Sequence, residues 1–217
     1  MARGKWAPQL LAGEGWPVHV QPPRLTDKVA QLRRLRRELA RSDPGFDRRE
    51  NTLLLPVSLS SALEMRLAGL RAVGFAKEGR SPLMARSFPV IQQGHELERY
   101  FGVAANFLRL PAGTSAPERN RLQLAPAAVA QADALLTRQG LAGRFLLICP
   151  FAGGRSAVPG KPTKTWPAFP EFTALAAREL GLPLAVYPGP GEHALAREQY
   201  PGAVLLEGAD LAVYAAV

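Results

Sequence analysis

The sequence predicts an α/β protein built on parallel sheets of Rossmann type. Three observations carry this. Short continuous apolar runs at 52–57 and 145–149 read as strands covered on both faces. Amphipathic or Ala-rich stretches of helical period lie between the apolar runs. Strand and helix patterns then alternate through the second half, which is how a parallel sheet with crossover helices is written.

Taken in order, residues 6–12 read as a short helix and 17–21 as a short strand closed by Pro22 and Pro23. Residues 26–41 predict an amphipathic helix. Val29, Leu32, Leu35 and Leu39 share one face, and Arg33, Arg34, Arg36, Arg37 and Arg41 take the other positions. Thr26 is placed to cap its start. A polar loop at 42–50 precedes the 52–57 strand. The next helix is expected over 58–70, with Ser61 and Glu64 at capping-box spacing. A short strand at 72–75 leads into a basic loop, 76–86, and 95–108 reads as helix.

Residues 111–124 form a connection rich in Pro, Gly, Ser and Arg. The domain boundary is therefore expected at Leu124, giving lobes 1–124 and 125–217. The second lobe starts with a helix over 125–139, ended by Gly140. After the 145–149 strand come a Gly-rich loop (151–165), a helix (167–180) ended by Gly181, and a strand (184–187). A tight turn at 188–191, a helix at 192–200, a strand at 204–206 and the start of a helix at 211–217 complete it.

Composition bounds the function. A hydrophobic content of 47% supplies a core and excludes a disordered chain. The formal charge of +9 invites a polyanion partner, or reflects an Arg-rich proteome, since the excess is spread along the chain. The basic 26–41 helix lacks aromatic interleaving and belongs to no recognised nucleic-acid module, so nucleic acid is not expected. The single cysteine, Cys149, suits a reducing compartment. No run reaches the roughly 18 to 20 apolar residues of a membrane span, and the start lacks a signal-peptide core. A cytoplasmic protein is expected.

Three segments are candidates for chemistry. The loop after the 145–149 strand holds Ala152, Gly153 and Gly154 and continues to Lys164, Trp166 and Pro167. Its glycines let backbone N–H groups approach an anion, and Lys164 adds a point charge beside a helix N-terminus. This fits a diphosphate cradle, and equally a plain loop with a solvated lysine. The turn Pro188-Gly189-Pro190-Gly191-Glu192 offers a carboxylate for sugar hydroxyls, or a glutamate held by the helix dipole. Lys77, Arg80 and Arg86 in one loop suit a multiply anionic ligand, or a solvated basic loop. His95 reads as a helix-terminal residue. Glu207 and Asp210 read as capping or surface residues. No Cys/His spacing fits a metal and no nucleophile elbow is present; no metal or cofactor is expected.

Several of these motifs, in this order, resemble glycosyltransferase family 9, which includes the ADP-heptose:lipopolysaccharide heptosyltransferases. The resemblance rests on Leu-Leu-Ile-Cys-Pro-Phe-Ala-Gly at 146–153, Lys164-Thr165-Trp166-Pro167 with Phe172, and Tyr187 to Glu192. In the first half it rests on Leu-Pro-Val-Ser-Leu-Ser-Ser-Ala-Leu at 55–63, Val-Gly-Phe-Ala-Lys-Glu-Gly-Arg-Ser-Pro-Leu at 73–83, and His95 to Tyr100. It covers roughly 52–217.

The resemblance implies a GT-B fold, two Rossmann-like lobes with parallel sheets, both incomplete here. It implies metal-independent transfer, with inversion, of a sugar from an ADP-heptose-like donor to an anionic glycan or lipopolysaccharide-core acceptor, with peripheral contact at the inner membrane. Lys164 and the backbone of Ala152, Gly153 and Gly154 would contact donor phosphates, and Glu192 the ribose. Arg80, Lys77 and Ser58 would line the acceptor side. The family's Gly-Asp base segment and its Asp-Thr-Gly-Pro-x-His motif have no counterpart in the sequence. No glycine-containing strand–loop–helix opens the first lobe, and the final apolar segment stops without a C-cap. Missing pieces at both ends, no catalytic base within the chain, weak catalysis and low solubility are the resulting expectations.

Overall fold

The computed structural model describes residues 1–2, 4–90, 93–119, 121–151 and 166–217. In chain order its elements are α1 (Ala7–Leu10), α2 (Leu25–Ser42), β1 (Thr52–Leu54), α3 (Leu59–Leu67), β2 (Ala72–Ala76), β3 (Arg86–Pro89) and α4 (Glu96–Leu108). There follow α5 (Pro126–Arg138), β4 (Leu146–Ile148), α6 (Phe169–Leu180), β5 (Leu184–Val186), α7 (His193–Gln199), β6 (Val204–Leu205) and α8 (Leu211–Ala216).

The chain divides into two compact units, Gln21–Arg121 and a second one joining Met1–Val20 to Leu122–Val217. The first twenty residues thus group with the C-terminal unit, unlike the expected lobe 1–124. Local bonds explain this. Ala2 N donates to His19 O at 2.9 Å, Gln123 N donates to Glu14 Oε1 at 2.9 Å, and Ala7 is buried. The expected strand at 17–21 is only a single parallel bridge, Ala2 to Val20.

In the first unit, β1, β2 and β3 form a parallel sheet in that order, with Leu53 opposite Val73 and Gly74 opposite Ser87. Val29 and Leu32 of α2 pack with Leu54, Ala62, Met65, Ala72 and Met84 in one buried cluster. Phe75 meets Tyr100 of α4 edge to face at 5.4 Å. Side chains of α2 also fasten α3. Lys28 Nζ reaches Glu64 Oε1 at 3.0 Å, while Arg33 and Arg36 donate to the carbonyls of Leu67 and Gly69 at 2.9 and 3.0 Å. Those carbonyls lie at the end of a helix, where intrahelical donors have run out. Glu64 is therefore a buried ion-pair residue, not the acid of a capping box, and the cap of α3 is Ser58, whose Oγ accepts from Ser61 N at 3.3 Å. Thr26 lies inside the first turn of α2, which has no side-chain cap.

In the second unit, β4, β5 and β6 form a second parallel sheet. Ala132, Leu135, Leu141, Ala185, Leu206 and Val213 make one buried cluster; Ile148, Val186, Ala196 and Tyr200 make another. Gly181, at φ 61°, ends α6 as its pattern predicts. Asp210 caps α8, accepting from Ala212 N and Val213 N at 2.9 Å each. Among the described residues, no helix is long and apolar enough to cross a membrane.

Candidate functional site

Open α/β sheets receive ligands at the carboxyl ends of their strands. In the second unit those ends are Cys149 to Phe151 after β4, Tyr187 and the 188–191 turn after β5, and 206–210 after β6. Ala152, Gly153, Gly154 and Lys164, the expected phosphate cradle, lie outside the described residues.

Glu192 is described. It stands immediately before α7, and its Oε2 accepts the Gly189 N–H at 2.7 Å, while its own N–H donates to Gly189 O at 3.0 Å. The carboxylate therefore closes its own turn. A Cβ at Gly189 would lie 2.7 Å from Glu192 Oε2, so any larger residue there moves the carboxylate aside. One residue on, His193 Nδ1 lies 3.5 Å from Glu207 Oε1, and Arg197 Nη2 lies 2.5 Å from the same oxygen. These contacts tie α7 to the segment after β6.

An aromatic pair at the same edge escaped the sequence reading. Tyr187 stacks on Tyr214 of α8, ring centroids 4.1 Å apart and planes 16° apart. Tyr187 Oη donates to Ala209 O at 3.0 Å, and the Tyr214 hydroxyl meets the Cys149 thiol. One network thus joins residues that follow all three strands. The bond to Cys149, then burial, pushes the Tyr214 phenol up to about 12. Burial raises Tyr187 as well, reinforced by the charges of Asp210 and Cys149. Both rings stay neutral at ordinary pH, as a stacking surface requires. A tyrosine directly after a strand was the signal on offer.

Beside this edge, α5 and the 207–209 segment enclose a pocket of about 270 Å³ lined in part by Gln131, Arg138, Glu207 and Gly208. It contains none of the expected site residues. Among the described residues, no group of three or more His, Cys, Asp or Glu could hold a metal.

In the first unit the three cations of the basic loop are separated. Lys77 is exposed. Arg86 sits in β3, 2.8 Å from Glu50 Oε2, and donates to Asn106 O at 3.0 Å. Arg80 is buried, with 0% exposure. Its Nε donates to Phe75 O at 2.8 Å, and its Nη1 to the carbonyl of Pro56 and to Ser61 Oγ, the latter at 3.3 Å. The solvated basic loop is thus overturned at Arg80, whose guanidinium cross-links the segments leaving β1 and β2. Ser58 spends its hydroxyl on the α3 cap. His95 caps α4 through Nδ1, which accepts from Leu97 N at 3.1 Å.

No protein-family model matches the chain, and no curated protein sequence matches it. Solved structures do. A glycosyl transferase family 9 protein from Veillonella parvula superposes with a TM-score of 0.64 at 16% identity, over 96% of this chain and 60% of its own. The E. coli ADP-heptose lps heptosyltransferase II superposes with a TM-score of 0.62 at 20% identity, over 98% of this chain and 64% of its own. The chain spans less than two thirds of either structure. Likeness at this identity concerns the fold, and the fold is an α/β one of GT-B type, two Rossmann-like units that each carry a parallel sheet.

Proposed function

We propose that this chain is the core of a sugar-nucleotide glycosyltransferase. The second unit takes the donor, an ADP-heptose-like nucleotide sugar. Backbone N–H groups of Ala152, Gly153 and Gly154, with Lys164, meet the diphosphate, and Glu192 meets the ribose. The first unit takes an anionic glycan or lipopolysaccharide-core acceptor beside Ser58, Lys77 and Arg80. The protein works in the cytoplasm, in peripheral contact with the inner membrane.

The observation that carries this reading is the carboxyl edge of the β4–β5–β6 sheet. The Gly-Gly and Lys164 segment follows β4, and the Gly-Pro-Gly-Glu turn follows β5. Likeness in fold to two glycosyltransferases supports it. In the reaction, a base removes the proton of an acceptor hydroxyl, whose oxygen attacks the anomeric carbon in line. The nucleoside diphosphate leaves with the bonding electron pair, and cationic and N–H groups stabilise it without a metal. The base is assigned to no residue of this chain.

The second reading is a non-catalytic sugar-nucleotide-binding protein on the same scaffold. Saturation-transfer NMR with an ADP-hexose tests what both readings share. Saturable enhancement on adenosine and sugar protons is expected; none at millimolar ligand counts against both. Radiolabelled sugar transfer then separates them.

A further inference from the structure

In the first unit, the segments leaving β1 and β2 meet at the start of α3. Residues 77–80 form a tight turn, Arg80 N donating to Lys77 O at 3.2 Å, with Glu78 and Gly79 both left-handed at φ 53° and 69°. A left-handed glutamate is uncommon, because its Cβ crowds the carbonyl that follows. This backbone delivers the Glu78 carboxylate to the helix, where Oε2 accepts the Leu59 N–H at 3.1 Å. Ser58 Oγ accepts the Ser61 N–H and also lies 3.1 Å from Ser60 Oγ. A carboxylate thus occupies the positive end of a nine-residue helix, as an anionic ligand does.

A second observation points the same way. Arg80 lies against this first turn, with Nη1 3.4 Å from Ser58 O and 3.3 Å from Ser61 Oγ. Its bonded partners, the carbonyls of Phe75, Pro56 and Ser58 and the Ser61 hydroxyl, are all neutral. Its Nη2 is buried with no hydrogen-bond partner among the described residues. A guanidinium keeps its charge inside a protein, and a buried charge without a counter-charge is costly. Burial holds Arg80 below its usual range, and the field of Glu78 acts against that. Glu78 is therefore the counter-charge that the turn supplies, and Lys77 stands exposed beside it.

We propose that the first turn of α3 is an oxyanion site, that Glu78 fills it as an internal stand-in, and that a phosphate or carboxylate of the acceptor displaces Glu78 from the Leu59 N–H. The entering oxyanion takes the Leu59 N–H that the carboxylate gives up, so Arg80 keeps a counter-charge beside it. The inference rests on the proposed acceptor role of this loop; it adds the group recognised and the residue that gates entry.

The test is amide NMR on the ¹⁵N-labelled full chain, titrated with inorganic phosphate in one arm and glucuronate in the other. Saturable shifts are expected at Leu59, Ser60 and Ser61, and the arm that binds tighter identifies the anion. Glu78→Gln and Glu78→Asn remove the competing charge and should tighten binding about threefold to tenfold. Asn tolerates the left-handed backbone, which guards against a disturbed turn. Lys77→Ala should weaken binding by a similar factor. Shifts that never saturate, or a Glu78→Asn variant that binds no tighter, overturn the proposal. Neither anion carries a nucleotide, so failure here and failure of donor binding in the second unit are read separately.

Discussion

Arg80 Nε donates to the carbonyl of Phe75 at 2.8 Å from a side chain with no exposed surface. Phe75 lies in β2 and the second partner, Pro56, follows β1. The guanidinium therefore fastens two strand ends with one planar group. Arg80→Ala takes the Arg80 bond from the buried Phe75 carbonyl and should destabilise the first unit by about 1–3 kcal/mol. Arg80→Lys should rescue little, because an ammonium cannot reproduce the fork. Urea unfolding followed by Phe75 and Tyr100 side-chain NMR measures this. An Arg80→Ala protein with wild-type stability would rule out the clamp.

The ion pair of half-buried Lys28 with buried Glu64 predicts a contrast between single and double substitution. Glu64→Ala strands Lys28 and should cost about 3 kcal/mol. Lys28→Met combined with Glu64→Leu removes both charges and keeps the volume, so it should stay within about 1 kcal/mol of wild type. A double-mutant cycle in urea checks the pair. Equal losses in both proteins would show that packing, not charge, governs the site.

Tyr214 predicts a dependence on high pH. Its phenol is held up at about 12 in the folded chain, above the ordinary value of 10. The folded state keeps the proton that the unfolded state releases, so this stabilisation is full below pH 10 and lost as pH rises through about 12. Tyr214→Phe removes the group, and its stability should fall less steeply between those pH values. Parallel slopes for the two proteins would contradict the assignment.

Gly189 predicts a local effect on ligand binding. A methyl there meets the Glu192 carboxylate, so Gly189→Ala must displace it from the turn. Sugar-nucleotide affinity should fall about tenfold, equivalent to about 1.4 kcal/mol, with little change in melting temperature. Thermal melts beside ligand titrations separate the two. A loss of stability matching the loss of affinity would mean that the turn matters only to folding.

Much of the architecture was legible because it is local. Strands β1 and β4 fall within the two apolar runs that read as covered strands, β2, β5 and β6 match to within a residue the short runs read as strands, and Gly181 marks a helix end. Strand β3 was not legible: it is four residues, Arg-Ser-Phe-Pro, at a sheet edge, with no apolar run. The site was legible as positions more than as roles. Glu192 stands out as an acid after a Gly-Pro-Gly turn, yet its bond to Gly189 depends on the turn's geometry. Arg80 read as a loop cation, for an anion or for solvent, because two of the carbonyls that hold it, those of Pro56 and Ser58, are remote in sequence. Tyr187 and Tyr214 are separated by a helix and a strand, so only the folded sheet brings their rings together. The first twenty residues looked like part of the first lobe for the same reason, since their partners, such as Gln123, are remote in sequence.

In the proposed function, Lys164 of the second unit holds the diphosphate of a nucleotide sugar. Isothermal titration of the full chain with an ADP-sugar, comparing wild type with Lys164→Ala, tests it most directly. Saturable one-site binding that weakens at least about tenfold in the variant is expected, the effect of losing a charge-assisted contact worth about 1.5–3 kcal/mol. Equal affinity in the two proteins, or no binding by the wild type, would contradict it.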